Sequence, residues 1–141
     1  MRIQWAVPCR EIVLSESEPG IADLRGAGID TIMVPSLPYQ VGVIVAARFA
    51  TPERDAGSTV VFEAHLLGPG MLVLESIHSP ITVGDPNPSH SEGWEMTSLM
   101  PLVVQFTAQA EGAHGLEIRL DNKLAANATT WFTIRIQAPA G

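Results

Sequence analysis

Two pairs of acidic and histidine side chains lie close together in the middle of the chain. Glu63 and His65 are two residues apart, and Glu75 and His78 follow the sequence Gly68-Pro69-Gly70. A carboxylate and an imidazole together can ligate zinc or act as general base and acid. Successive side chains of a strand alternate between its faces, so Glu63 and His65 share a face, whereas Glu75 and His78 do not. A metal site at Glu63 and His65 and an ordinary solvated polar face are both compatible with this pattern.

A proline-rich stretch from Thr82 to Glu95 carries further groups of this kind. It has no apolar periodicity, and its acidic and imidazole side chains are Asp85, His90, Glu92 and Glu95. Calcium needs about six or more oxygen ligands, and few other aspartates are available to supply them. Serines flank His90, but no Gly-x-Ser-x-Gly sequence accompanies them. We expect a surface loop, and residues 84–95 join Glu63 and His65 in the alternative of a small metal-dependent enzyme or ligand-binding protein.

Cys9, Trp131 and Arg135 are the remaining candidates. Arg10 follows Cys9, and an adjacent cation can lower the pKa of a thiol. Cys9 has no second cysteine beside it, so we predict a buried structural thiol. Trp131 and Arg135 share the outward face of a predicted strand, where they can stack on each other or form a contact patch for a protein partner.

Composition limits the classes of function. The chain has 141 residues, the size of one domain, and a formal net charge of -7 with its basic residues scattered. Binding a polyanion needs a concentrated basic face, so we expect neither nucleic acid nor an anionic membrane as a partner. A single cysteine fits a reducing compartment, and we expect a cytoplasmic protein without an export signal. Nothing in the sequence indicates a cofactor.

Period-two alternation of apolar residues predicts strands along the whole chain. They cover residues 3–7, 28–34, 41–49, 58–67, 71–77, 102–108, 116–120 and 130–137. Glu11–Leu14 extends the first strand, and only Gly20–Arg25 has a short helical period. The absence of crossover helices predicts a single all-β domain, an antiparallel β-sandwich of about eight strands, jelly-roll-like or immunoglobulin-like.

Two turns are predicted by their residue types. Asp121-Asn122 interrupts an alternating strand and tolerates the left-handed backbone of a tight hairpin. Gly68-Pro69-Gly70 predicts a second reversal. A three-residue or bulged connection there pairs Leu66 with Leu72 and keeps apolar partners on one face.

Val41–Phe49 is the most apolar segment. Its odd-numbered positions form one face, and Ile44 and Ala46 lie on the other. If the odd-numbered face is buried in the core, Ile44 and Ala46 form an apolar strip that a second copy can cover around a two-fold axis. We therefore predict a non-catalytic interaction or assembly module that forms a homo-oligomer, with a dimer favoured.

Several phrases of the sequence also occur together in a known family. They are Trp5-Ala6-Val7-Pro8-Cys9-Arg10, Gly26–Thr31, Pro35–Pro38 and the hairpin from Glu111 to Asp121. The chain resembles a family of small uncharacterised bacterial β-sandwich proteins. The resemblance implies the fold, with an aromatic residue expected near His114, and implies no activity, substrate or site residue.

Overall fold

The computed structural model describes residues 1–18, 21–86 and 93–139, without the side chains of residues 126 and 127. Ten strands account for most of the described chain: β1 (Arg2–Cys9), β2 (Glu11–Leu14), β3 (Ala22–Arg25), β4 (Thr31–Val34), β5 (Tyr39–Thr51), β6 (Thr59–Leu67), β7 (Val73–Thr82), β8 (Met96–Ala108), β9 (Gly112–Leu120) and β10 (Lys123–Ile136). Two short 3-10 helices occupy Glu53–Asp55 and Pro69–Met71. Within these ranges, no helix is both long and apolar enough to cross a membrane. The predicted all-β class is confirmed, with ten strands instead of about eight.

Two sheets of unequal width form the sandwich. The smaller sheet has the order β1-β5-β8, and the larger has the order β4-β10-β9-β6-β7. β2 and β3 form a separate two-stranded hairpin, and β1 runs beside β10. All pairings are antiparallel except that between β4 and β10, which is parallel.

The core lies between the inner faces of the two sheets. The predicted inward residues of Val41–Phe49 are buried, and the aromatic rings of Phe49 and Phe62 meet edge to face, with centroids 6.3 Å apart. Buried His114 stacks on Phe132 at 5.8 Å, and its Nδ1 donates a hydrogen bond to the carbonyl of Gly112 at 2.9 Å. The buried imidazole therefore packs among aromatic rings of the core, and the backbone satisfies one of its polar atoms.

The β9–β10 hairpin forms as predicted. Leu120 pairs with Lys123, and both Asp121 and Asn122 have positive φ, at 49° and 63°, which is the left-handed backbone of a two-residue hairpin turn. Asp121 also accepts a hydrogen bond from the Val61 backbone through its side chain and donates its own backbone N–H to the Val61 carbonyl. The turn thereby ties β9 to β6.

The N-terminal strands differ from the sequence prediction. Glu11–Leu14 does not extend β1, because it pairs with β3 in the separate hairpin. The segment Gly20–Arg25, which has a short helical period, contains β3 instead. Gly28 has a φ of 80° and belongs to a turn, so the strand predicted from residue 28 begins at Thr31. The tertiary pairing overrides local periodicity at all three places.

The connection between β6 and β7 also differs in register. Leu66 pairs with Glu75 and not with Leu72, and a bulge falls between Leu66 and Leu67. The prediction of a longer or bulged turn is confirmed, but the paired residues are wrong. Pro69–Met71 form a 3-10 helix, so the ladder between β6 and β7 begins only at Val73, later than a three-residue turn would allow.

Ile118 provides a test of the core. It is fully buried in β9. Ile118→Asp places an unpaired carboxylate between the sheets, and we expect the free energy of unfolding to fall by several kcal/mol. Leu124→Asp, on the exposed side of the same hairpin, is the matched control and should change it by no more than about 0.5 kcal/mol. Urea unfolding followed by circular dichroism measures both, and an Ile118→Asp protein as stable as the parent would remove Ile118 from the core.

Candidate functional site

The predicted pair Glu63 and His65 lies on the outer face of the larger sheet. The Nε2 atom of His65 is 3.2 Å from Glu63 Oε2, and both side chains are half-buried. The ladder with β7 places His78 opposite Glu63, with its Nε2 atom 4.0 Å from Glu63 Oε1. Glu75 lies opposite Leu66, on the other face, as predicted. His78, and not Glu75, therefore joins the pair.

The neighbouring strand β9 completes this polar group. Arg119 is the register partner of Glu63, and Glu117 is the register partner of His65. Arg119 donates from Nε and from a terminal nitrogen to one oxygen of Glu117, at 2.9 and 2.6 Å. Glu63, His65, His78, Glu117 and Arg119 form what we call the acid–histidine cluster. Arg119 lies directly opposite Glu63 across the ladder, and such an opposite-charge pair stabilises a sheet face.

The chemistry that the acid–histidine cluster can perform is limited by these contacts. Among the described residues, no group of three or more histidine, cysteine, aspartate or glutamate side chains is arranged to hold a metal ion. A catalytic zinc ion typically takes three protein ligands. The contacts observed in the cluster are those of Glu63 with His65 and His78, and the ion pair of Glu117 with Arg119.

The loop predicted to join this site is described only at its ends. His90, Glu92 and the serines beside His90 lie outside the described residues. At the described ends, Glu95 forms an ion pair with Arg2 at 2.7 Å, and the Gly93 backbone donates to Glu53 at 3.3 Å. Both contacts lie at the C-terminal end of the loop and hold that end to residues outside the acid–histidine cluster.

Trp131 and Arg135 both lie on the outer face of the larger sheet, as predicted. The indole ring covers Gly115 of β9, where a Cβ atom would come within 2.8 Å of it. The ring is still 45% exposed. Glycine on a strand beneath an aromatic ring is a known device for setting register, so Trp131 has a structural task besides any contact with a partner.

The predicted apolar strip at Ile44 and Ala46 is only partly exposed. Both lie on the outer face of the smaller sheet, but Ala46 is fully buried, which corrects its expected exposure. Its register partners are Val7 and Pro101, whose larger side chains flank the short methyl group on both sides. Ile44 is half-buried. A partner can therefore reach Ile44 but not Ala46.

An exposed edge that the sequence did not single out lies on β8. This strand is 13 residues long and contains no charged residue. In the described part of the chain it pairs with β5 alone, and its outward-facing Val103 is 59% exposed. Local periodicity cannot identify an edge, because strand order depends on pairing between distant segments. The lack of charge was the available signal.

Cys9 is buried at the end of β1, as predicted. Burial raises the pKa of its thiol above the ordinary 9.0, and a hydrogen bond with the Ala46 backbone opposes this only in part. The thiol is therefore neutral at physiological pH, and the adjacent Arg10 does not turn it into a nucleophile.

The metal-dependent alternative has a direct test. We expect zinc or calcium in moderate excess to leave the melting temperature unchanged. A metal that bound only the folded protein at a hundredfold excess over its Kd would add about 2.7 kcal/mol of stability. Differential scanning fluorimetry measures this, with His65→Ala as the control. A clear rise that His65→Ala abolishes would favour the metal-dependent alternative.

The Cys9 thiol predicts a pH dependence of stability. Because its pKa is raised on folding, its contribution is complete below the unfolded value of 9.0 and is lost as the pH rises through the folded value. Above about pH 9, we expect the free energy of unfolding of the parent to fall more steeply than that of Cys9→Ala. Urea unfolding at a series of pH values measures both slopes, and parallel curves would contradict the raised pKa.

Comparison with known proteins assigns no role to these residues. No protein-family model matches the chain, and no curated protein matches it. The functional assignment is therefore drawn from the residues and geometry described above.

Proposed function

We propose that this protein is a non-catalytic interaction and assembly module that forms a homodimer through the free edge of β8. The observation that carries the proposal is that edge itself, which is 13 residues long and uncharged. An unpaired edge presents a row of backbone N–H and C=O groups, which is a template for a further strand. Pairing with a second copy satisfies these groups.

The position of Pro101 shows which residues present their backbone to the free edge. Proline has no N–H, and within sheets it is found where that group would point away from the ladder. Pro101 lies opposite Ala46 without a break in register. Val103, Gln105 and Thr107 have the same parity as Pro101, so their backbone groups point toward the edge. This half of β8 is open to a partner strand.

Charge favours β8 over the other edges. Two copies with a net charge of -7 repel each other, and a contact that adds no charge limits that repulsion. The edge strand β7 carries Glu75 and His78 and has a bulge in the ladder that joins it to β6. β4 is only four residues long, and β1, the other edge of the smaller sheet, contains Arg2 and runs beside β10. β8 is therefore the edge best suited to self-pairing.

A two-fold axis at β8 accounts for the geometry of the dimer. Two antiparallel copies of one strand pair around such an axis, and the surface is then self-complementary. The pairing joins the two smaller sheets into one continuous sheet. It also brings the exposed side chain of Val103 next to the partner strand. The single buried cysteine supports a cytoplasmic location for this dimer.

A matched pair of proline variants tests the proposal. Val103→Pro removes an edge N–H two residues from Pro101. His78→Pro makes the same change two residues from Pro80, on β7. We expect light scattering at micromolar concentration to report a dimer for the parent and for His78→Pro, and a monomer for Val103→Pro.

Circular dichroism and thermal unfolding serve as controls that test whether both variants are folded. A monomeric parent would defeat the proposal, as would a folded Val103→Pro variant that remained dimeric. If Val103→Pro does not fold, Thr107→Pro tests the same edge. Its side chain is exposed, and it lies nearer the end of the strand.

A further inference from the structure

Gly42 is an unexplained glycine in the interior of β5. Glycine in a strand weakens it, and often marks a place where a ligand or another backbone comes close. Gly42 is not among the residues with positive φ, and a Cβ atom built on it would meet no atom within 4 Å. Neither backbone conformation nor crowding by the described chain requires glycine at this position.

The space above Gly42 is a cavity of about 360 Å³, which is within the size range of small-molecule sites. Its walls are mainly branched aliphatic side chains. These side chains are Ile29 before β4, Ile32 in β4, Ile44 in β5 and Val103 in β8. Cys9, Arg10 and Gln105 also line it, and we call it the Gly42 cavity. An aliphatic group fits these walls.

Arg10 supplies the one charge among the residues that line the Gly42 cavity. Its aliphatic stem packs over Gly26, where a Cβ atom would come within 2.8 Å of the Arg10 Cγ. The backbone of Arg10 donates to Arg25 at 2.8 Å, and Gly28 donates to Pro8 at 2.9 Å, so the turn that supports the stem is tied to the end of β1. These backbone hydrogen bonds and the packing on Gly26 fix the position of Arg10 beside the cavity.

The Arg10 guanidinium has no carboxylate partner in the described part of the chain. Arg2, Arg25 and Arg119 each pair with a glutamate, whereas Arg48, Arg54 and Arg135, like Arg10, have no described carboxylate partner. Arg10 differs from those three because it lines the Gly42 cavity. An arginine beside an apolar cavity that lacks acidic residues is complementary to an anion with an apolar body. The neutral thiol of Cys9 does not compete for the guanidinium.

We propose that the Gly42 cavity binds a small aliphatic monocarboxylate, with its chain over Gly42 and its carboxylate on Arg10. Gln105 lies directly opposite Gly42 in the ladder and also lines the cavity. Its side-chain amide can donate a second hydrogen bond to the ligand. This proposal does not require the dimer, because Arg10, Gly42 and the aliphatic walls belong to one chain. The proposed dimer would bring a partner strand next to the Val103 side chain, which is one of those walls, so ligand binding and oligomeric state are measured separately.

Calorimetry and backbone amide NMR with acetate, butyrate and hexanoate test the ligand class. We expect saturable hexanoate binding, with the largest shifts at Gly42 and Ile44. Affinity should rise about fourfold for each buried methylene from acetate to hexanoate. Hexanol, which lacks the charge, should bind at least about tenfold more weakly than hexanoate. Absence of hexanoate binding at millimolar concentration, or equal binding of hexanol, would overturn the proposal.

Two variants locate the site. Gly42→Val places a branched side chain on the floor of the cavity, and its Cβ atom meets no described atom within 4 Å, so it should weaken hexanoate binding at least about tenfold while the protein stays folded. Gly84→Val is the matched control, because Gly84 also has open space around its Cβ position but lies outside the cavity. Undiminished hexanoate binding by folded Gly42→Val would place the ligand elsewhere.

Arg10→Gln tests the charge independently of Gly42. Arg10 is exposed, so the protein should fold normally. We expect its hexanoate affinity to fall about tenfold or more, to the level of hexanol. Equal affinity in the parent and in Arg10→Gln would remove Arg10 from the site and overturn the assigned ligand class. The oligomeric state of both variants, measured by light scattering, distinguishes loss of ligand binding from loss of the dimer.

Discussion

The packing of a three-stranded sheet against a five-stranded sheet is the constraint on which the rest of the structure depends. Burial of apolar side chains between two sheets is the main favourable term for a sandwich. Three strands cannot cover five, and most of β7, at one edge of the larger sheet, is exposed on both faces. β8 is a border of the smaller sheet because that sheet is open. Its inner face contributes Leu102, Val104 and Phe106 to the core, so the strand that offers an edge is also held in place by the core.

Local sequence was sufficient where the physical cause is local. Alternation at Leu116 and Ile118 predicts the buried face of β9, because successive side chains point to opposite sides of a strand. Asp121-Asn122 predicts its hairpin, because both residues adopt positive φ at low cost. The shared face of Glu63 and His65 also follows from alternation. Contacts with the adjacent strands add His78 and Arg119, which no local pattern brings to that face.

Sequence was insufficient where the cause is distant. The parallel pairing of β4 with β10 joins segments a hundred residues apart, and local periodicity carries no information on strand order. Ala46 was expected on an exposed strip because alternation places it on the outer face of β5. It is buried because the side chains of Val7 and Pro101, on the two adjacent strands, flank it. Alternation along β10 places Ile136 on the same face as buried Ile134, but Ile136 is exposed at the end of the strand, where the pairing with β4 also ends. In each case, burial depends on which strand or strand end lies alongside.

The residues most suggestive of chemistry in the sequence have their interactions satisfied by one another in the fold. Glu63 contacts His65, and Arg119 contacts Glu117, so this face of the larger sheet leaves little binding capacity unused. Arg10 and Gly42 attract less attention in the sequence, yet one lacks a described carboxylate partner and the other lacks a conformational reason to be glycine. The exposed Arg10 guanidinium is hydrated, so a carboxylate ligand gains affinity there only if the apolar walls beside Arg10 add to the exchange of hydrogen bonds with water. The ligand site that we propose therefore depends on these two positions and not on the clustered reactive residues.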